Sequence, residues 1–280
     1  MTQFAQPASP ETSSLGKAVR YGDQYDPGLL FPIPRARSRE ALQLGGDALP
    51  FHGVDLWNGY ELSWLNPRGK PQVALARFDV PAESPNLIES KSFKLYLNGF
   101  NQTRLASMQA LQARLIDDLS QAAGAKVDVT LFDPQAQQGV PLQSLQGDCI
   151  DELDIDIDDF AHPEQLALRC ADRIVDEVLV SHLLKSNCPV TGQPDWASVQ
   201  IAYRGRQLDR EALLRYLIAF RQHNDFHEHC VERIWLDLWR QCQPDLLTVY
   251  ARYTRRGGLD INPWRSSEPG QPDNPRGPRQ

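Results

Sequence analysis

Alternation of apolar and polar positions marks two stretches of this chain that begin alike. "GKPQVALARFDV" (69–80) and "GQPDWASVQIAY" (192–203) each leave a G-x-P turn and continue with an apolar alternation, which predicts a strand with one buried face. Further along, the period changes. "LASMQALQARLIDDLSQA" (105–122) and "VERIWLDLWRQC" (231–242) place apolar residues three and four apart, the spacing of a helix with one buried stripe. An alternating segment follows each, "KVDVTLFD" (126–133) and "LLTVYARYT" (246–254), and predicts a closing strand.

The two stretches are copies of one unit. "YLNGFNQ" (96–102) and "YLIAFRQ" (216–222) share Tyr, Leu, Phe and Gln at matching positions, 120 residues apart. Each copy reads strand, turn, strand, helix, helix, strand, so the expected fold is α+β with two similar modules packed on each other. The expected boundaries are an N-terminal extension at 1–39, partly disordered, a first module at 40–160, a second at 161–265, and a disordered tail at 266–280. Both ends are rich in Pro, Ser and Gln and cannot build a core. The joint, "DELDIDIDDF" (151–160), alternates Asp with apolar residues. That pattern fits an edge strand guarded by charge, a solvated linker or a cation site, although the Gly-centred spacing of a calcium loop is missing.

Composition narrows the partners. A formal charge of −7 is the wrong balance for a surface that wraps nucleic acid, and no apolar run is long enough to cross a membrane as a helix. The five cysteines, Cys149, Cys170, Cys188, Cys230 and Cys242, form no C-x-x-C pair and an odd set, which suits reduced thiols in a cytoplasm. The N-terminus lacks the basic region and apolar run of a signal peptide.

Four short stretches carry candidate chemistry. In "SNCPVTGQPDW" (186–196) a cysteine sits in a polar turn instead of among aliphatic residues. There it can be ionised, and a loop folded by Pro189, Gly192 and Pro194 can return Asp195 to its side as a proton donor or acceptor. "HNDFHEHC" (223–230) is dense in ligand types but lacks the H-E-x-x-H pattern; a metal site, a solvated or capping role, and a substrate or proton-transfer role for His227 and Glu228 all remain open. In "NLIESKSFKLYLNGF" (86–100) Glu89, Ser90 and Lys91 stand where a strand gives way to a helix. Free N–H groups and a lysine there favour an anion. "RYTRRGG" (252–258) closes a strand in a flexible basic turn able to approach a phosphate. Neither a G-x-G-x-x-G nor a G-x-x-x-x-G-K-[ST] pattern is present, so a bound nucleotide would be held by scattered cations.

Taken together, "ESKSFKLYLNGFNQTR", "LLKSNCPVTGQPDW", "FHEHCVERI" and "YTRRGGLDINPWR", in that order, resemble the NADPH-dependent 7-cyano-7-deazaguanine reductases, the QueF nitrile reductases of queuosine biosynthesis, in their long two-module form. The resemblance implies tandem tunnelling-fold (T-fold) modules, with antiparallel sheets backed by paired helices, and a cytoplasmic homodimer. It implies Cys188 as the nucleophile that adds to the nitrile as a thioimide, with Asp195 as its acid/base. Leu87, Ile88, Glu89, His227 and Glu228 would hold the deazapurine, while Ser90, Lys91, Arg256 and Gly257 would meet NADPH. It implies no metal, one site per chain where the modules meet, and no direct nucleic-acid or membrane partner. Competing readings are a zinc-dependent pterin or purine hydrolase of the related T-fold enzymes, and a deazapurine-binding module without catalysis.

Overall fold

A computed structural model describes residues 22–44, 48–137, 141–157 and 162–280. The chain divides into two compact units, residues 1–45, 57–139 and 256–259 in one, and 46–56, 140–255 and 260–280 in the other. These units do not follow the boundaries drawn from the sequence, because long strands and a hairpin tip pass from one to the other.

In unit 1 the chain enters through strand β1 (Pro32–Pro34) and helix α1 (Ala36–Ala41), before β2 (His52–Leu65) and β3 (Pro71–Pro81). A short β4 (Asn86–Ile88) leads into α2 (Ser90–Asn98), then α3 (Met108–Ala123) and β5 (Asp128–Phe132). β5, β3 and β2 are neighbours in one sheet, and β1 pairs antiparallel with β4. The alternation read in 69–80 becomes an inward row of Ala74, Ala76, Phe78 and Val80 on β3. The helical spacing in 105–122 becomes Leu111, Leu115, Leu119 and Ala123, one above the other on α3 and fully buried.

Residues 22–39, expected to belong to a partly disordered extension, are folded. Tyr25 packs on Tyr96 and Phe100, its hydroxyl donates to Asp118 Oδ2 at 2.7 Å, and Ile33 is buried opposite Leu87. The prolines around "LLFPIP" hid this strand, yet they cost little where β1 pairs along one edge alone.

Unit 2 repeats the order. β6 (Asp148–Cys149) and β7 (Cys170–Asn187) precede β8 (Pro194–Leu208), α4 (Arg210–Ala219), α5 (His227–Cys242), β9 (Leu246–Tyr253) and β10 (Leu259–Ser266), and the sheet order is β10-β9-β8-β7-β6. On β8 the inward row is Asp195, Ala197, Val199, Ile201 and Tyr203. A carboxylate thus occupies the first position of an otherwise apolar register.

The repeat is visible in its bracing. Tyr96 donates to Asp118 Oδ2 and Tyr216 to Asp237 Oδ2, both at 2.7 Å, so each copy ties its first helix to its second by the same pair. Each first helix is also capped by an acid: Glu89 accepts from the Lys91 and Ser92 amides, and Asp209 from those of Glu211 and Ala212. The core of unit 2 also holds charge. Arg265, fully buried, lies 2.8 Å from Asp55 and 2.9 Å from Glu232, and burial alone would weaken its charge, but the two carboxylates outweigh that and raise its pKa.

Two further expectations need correction. The acidic segment forms no strand over 151–157; the edge strand is β6 just before it, and residues 158–160 lie outside the described part. The tail beyond Ser266 is placed, with Gln280 accepting from Arg252 and donating to the Tyr253 carbonyl and Asn262. Polar side chains anchor it where apolar ones are missing. Cys170 starts β7 and is half-buried.

Candidate active site

The turn that carries Cys188 is a hairpin tip. The Cys188 amide donates to the Gln193 carbonyl at 2.9 Å and the Gly192 amide to the Cys188 carbonyl at 3.0 Å, which closes the loop between β7 and β8. Gly192 stands at φ +66°, a left-handed conformation that a side chain disfavours. Ser186 and Asp195 are register partners across the hairpin, so their side chains share one face. Cys188 is 7% exposed, more enclosed than its polar neighbours suggest.

Asp195, 4% exposed, has His227 Nε2 at 3.3 Å from its Oδ2. The partner comes from a different element: His227 is the first residue of α5, whose apolar stripe (Val231, Ile234, Trp235, Leu238) packs the helix down and presents its N-terminus here. The imidazole lies flat on Tyr253 of β9, with ring centroids 3.8 Å apart and planes inclined by 9°. Its Nδ1 makes no hydrogen bond among the described residues. A ring so held presents one nitrogen to a buried carboxylate and has the other buried without a hydrogen-bond partner among the described residues.

Within "HNDFHEHC", His223, Asp225 and His229 pair among themselves. His229 Nδ1 lies 3.1 Å and His223 Nε2 3.7 Å from Asp225. Burial opposes ionisation of Asp225, but the two histidines together outweigh it and hold its carboxyl well below the usual carboxylate range. Cys230 is fully buried, and burial, with Asp225 beside it, pushes its thiol up. Burial and the neighbouring Cys170 push Cys242 up to about 12. These thiols are poor nucleophiles where they stand. Glu228 is 3% exposed next to His227. Among the described residues this run does not form a metal-ligand group; the set that does is Cys149, Asp151 and His182, on other elements.

Sequence reasoning missed Tyr253 and Lys185. Lys185 Nζ donates to Asn187 Oδ1 at 2.5 Å and to the Arg221 carbonyl at 2.8 Å. Burial and the Arg221 charge lower its pKa, and Asp195 opposes them. Both lie within stretches already singled out, "RYTRRGG" and "LLKSNCPVTGQPDW", but no spacing marks either one, since their partners are distant in the chain.

In unit 1, Leu87 and Ile88 are core residues of β4, and Glu89, fully buried, directly follows them. The expectation that the α2 amides are free for an anion is wrong at its second and third residues: Glu89 Oε1 takes the Lys91 amide at 2.6 Å and Oε2 the Ser92 amide at 2.8 Å. A second group of residues lies along α2 and the "RRGG" turn. The Arg256 amide donates to the Leu259 carbonyl at 2.8 Å, with Gly257 and Gly258 at φ +57° and +79°, a tight turn that needs two left-handed residues. Beside it is a cleft of about 400 Å³ lined by Glu61, Lys94, Asn98, Asn101, Gly257 and Gly258, among others. A Cβ on Gly257 would stand 3.2 Å from the Lys94 side chain. Gly257 lines this cleft, whereas Ser90, Lys91 and Arg256 do not. Lys94 is the added cation, one helical turn beyond Ser90 on the same face of α2.

Comparison with known proteins gives the family. Residues 21–131 match the model described as nitrile reductase, 7-cyano-7-deazaguanine-reductase N-term, and residues 194–271 match QueF-like protein. The chain is 64% identical over 254 residues to an NADPH-dependent 7-cyano-7-deazaguanine reductase of Bordetella pertussis, covering 90% of this chain and 92% of that one. It is 60% identical over 274 residues to the enzyme of the same name from Chromobacterium violaceum, covering 98% of each. A third of that name, from Delftia acidovorans, is 55% identical over 285 residues, with 97% of this chain and 99% of that one covered. The solved apo structure of the archaeosine synthase QueF-Like covers 35% of this chain and 96% of its own, at 17% identity and a TM-score of 0.30. On the two family models and these full-length relatives, the chain belongs to the nitrile reductase family of 7-cyano-7-deazaguanine reductases.

Proposed function

We propose that this chain is an NADPH-dependent oxidoreductase that reduces the nitrile of 7-cyano-7-deazaguanine to the aminomethyl group of 7-aminomethyl-7-deazaguanine, a step of queuosine biosynthesis and so of tRNA modification. The observation that carries the mechanism is the buried Asp195, paired with His227 at 3.3 Å, on the same hairpin as Cys188. A nitrile carbon is a weak electrophile. Attack by the Cys188 thiolate makes a C–S bond and moves an electron pair onto nitrogen, which must take a proton to give a neutral thioimide. Asp195 is the donor on this reading, and the His227 N–H opposite its Oδ2 steadies the carboxylate left behind.

His227 and Glu228, with Leu87, Ile88 and Glu89, hold the deazapurine, the carboxylates accepting its ring N–H and amino hydrogens. The left-handed glycines and the Lys94 side chain fit an extended phosphate-bearing ligand, since a bare backbone and a cation stand together along the cleft. Gly257 and Lys94 would therefore hold NADPH, with Ser90, Lys91 and Arg256 as further contacts. When bound, NADPH supplies hydride, two equivalents being needed to take a nitrile to an amine.

The same reading includes a T-fold homodimer in the cytoplasm, without direct nucleic-acid contact. Its support is the duplicated order of elements and five free cysteines. The zinc hydrolase alternative finds no support, since the relatives described above bear reductase names. The test is NADPH consumption followed by absorbance, with and without 7-cyano-7-deazaguanine. Two NADPH consumed per nitrile is the expected stoichiometry, and ligand binding without consumption would leave only a binding module.

A further inference from the structure

We propose that Cys149, Asp151 and His182 form a zinc-binding site that fastens the edge strand β6 and the start of the acidic segment to β7. The site lies along the β7–β8 hairpin, apart from the Cys188 turn at its tip, and does not depend on the proposed reaction. Its sequence origin is the acidic joint, which otherwise has no role: Cys149 ends β6, and Asp151 opens the acidic run two residues later.

The backbone brings the third ligand to them. β6 pairs parallel with Leu179 and Val180 of β7, and the Ile150 amide extends the pairing to the Val180 carbonyl at 3.0 Å. Just beyond, the register of β7 against β8 breaks between Ser181 and Leu184. A bulge re-aims the side chains that it carries, and His182 is one of them. The thiol, the carboxylate and the imidazole then place their ligand atoms within 4.8 Å of one another.

Two of the three are already oriented by the protein. Asp151 Oδ1 accepts from the Ser181 hydroxyl at 2.6 Å and Oδ2 from the His182 amide at 2.8 Å, which fixes the carboxylate and leaves lone pairs on both oxygens. His182 Nδ1 lies 2.8 Å from Ser198 Oγ on β8. With that nitrogen donating to the hydroxyl, Nε2 is the bare, metal-competent atom, the arrangement in which a second partner sets the tautomer of a ligating histidine. Cys149 is exposed and its thiol is free, so it can swing in.

The ligand set chooses the ion. Thiolate, imidazole and carboxylate together suit zinc, whereas magnesium and calcium take oxygen ligands. At zinc bond lengths, tetrahedral ligands stand roughly 3.3–3.8 Å apart, so closure asks about 1 Å of movement, within reach of an exposed cysteine side chain. Binding displaces the thiol proton to solvent, and water completes the fourth position. The effect is mechanical: β6 is two residues long, too short to hold its place firmly by pairing alone.

The experiment uses the full chain, reduced and chelator-treated. Cadmium should raise a near-ultraviolet thiolate-to-metal absorption band, and zinc should bind calorimetrically at one per chain and slow hydrogen exchange over residues 148–153. Cys149→Ser should abolish the band, His182→Gln should weaken zinc at least tenfold, and Ser198→Ala should weaken it by about tenfold through loss of the Nδ1 partner. Cys188→Ala should keep band and stoichiometry, which separates this site from the nucleophile. Absence of the band in the wild type, its survival in Cys149→Ser, or its loss in Cys188→Ala would overturn the assignment.

Discussion

Glu89 has two tasks that a single substitution can separate. Its carboxylate caps α2 through the Lys91 amide at 2.6 Å and the Ser92 amide at 2.8 Å, inside a fully buried site, and it is also a proposed ligand for the deazapurine. Glu89→Ala should therefore destabilise unit 1 as well as weaken substrate binding. An N-cap truncation costs about 0.5–2 kcal/mol, and burial puts this one near the top of that range, because the released amides are poorly placed to find water. The molecule contains its own control. Asp209 caps α4 through two amides, both at 3.1 Å, but it is exposed, so Asp209→Ala should cost only about 0.5–1 kcal/mol. The informative variant is Glu89→Asp: an aspartate can cap, as Asp209 does, while its carboxylate stands one methylene further from any ligand. Urea unfolding followed by tryptophan fluorescence, with calorimetry of 7-cyano-7-deazaguanine binding, gives both quantities. Stability should fall by about 2 kcal/mol in Glu89→Ala and by under about 0.5 kcal/mol in Glu89→Asp, while both bind the ligand more weakly. A wild-type unfolding midpoint in Glu89→Ala, or an equal fall in Glu89→Asp, would refute the capping argument.

Mixing enzyme with nitrile substrate in the absence of NADPH should give a covalent adduct on Cys188, and Asp195→Asn should slow its formation; peptide mapping to another cysteine would place the nucleophile elsewhere. Lys94→Ala should raise the KM for NADPH more than that for the deazapurine, and unchanged steady-state constants would remove Lys94 from the proposed cofactor site. The carboxyl of Asp225 is held below its unfolded pKa, so its contribution to stability is complete above about pH 4 and is lost as pH falls through the folded value. Asp225→Asn should accordingly flatten the acid limb of a stability-against-pH curve. Arg265→Met leaves two buried carboxylates facing each other without a cation and should cost about 3–5 kcal/mol by urea unfolding, whereas a near-neutral result would mean that water reaches Asp55 and Glu232.

What the sequence made legible was whatever repeats within a few residues. Periods of two and near four located β3, β8, α3 and α5, and the shared "YL..F.Q" frame located α2 and α4. Elements carried by long-range pairing were opaque. β1 is written in prolines and exists because β4 lies beside it, and β10 gains its place from Asp55, Glu232 and the Leu56 carbonyl, which its Arg265 and Asn262 reach from some 30 to 200 positions away. The site divides along the same line. Asp195 was visible because it shares a hairpin with Cys188, but its pairing with His227 and the stacking of His227 on Tyr253 depend on where a strand and a helix end in space. Lys94 was overlooked in favour of Lys91, since charge marks both and only the helix face distinguishes them.

The hairpin tip also governs which party moves during the reaction. The Asn187 amide donates to the His223 carbonyl at 2.9 Å, the Asp225 amide donates to the Asn187 carbonyl at 3.1 Å, and Asn187 Nδ2 donates to Asn224 Oδ1 at 2.9 Å. The loop that bears Cys188, the proposed nucleophile, is therefore sewn to the loop that starts α5 and delivers His227. Sulfur, carboxylate and imidazole belong to one cooperative patch that opens as a whole or stays closed. On the proposed mechanism, a cysteine held this way cannot swing out to meet a substrate. Approach and alignment must come from the ligand, and local opening at Asn224 would end turnover well before the sheet behind it unfolds.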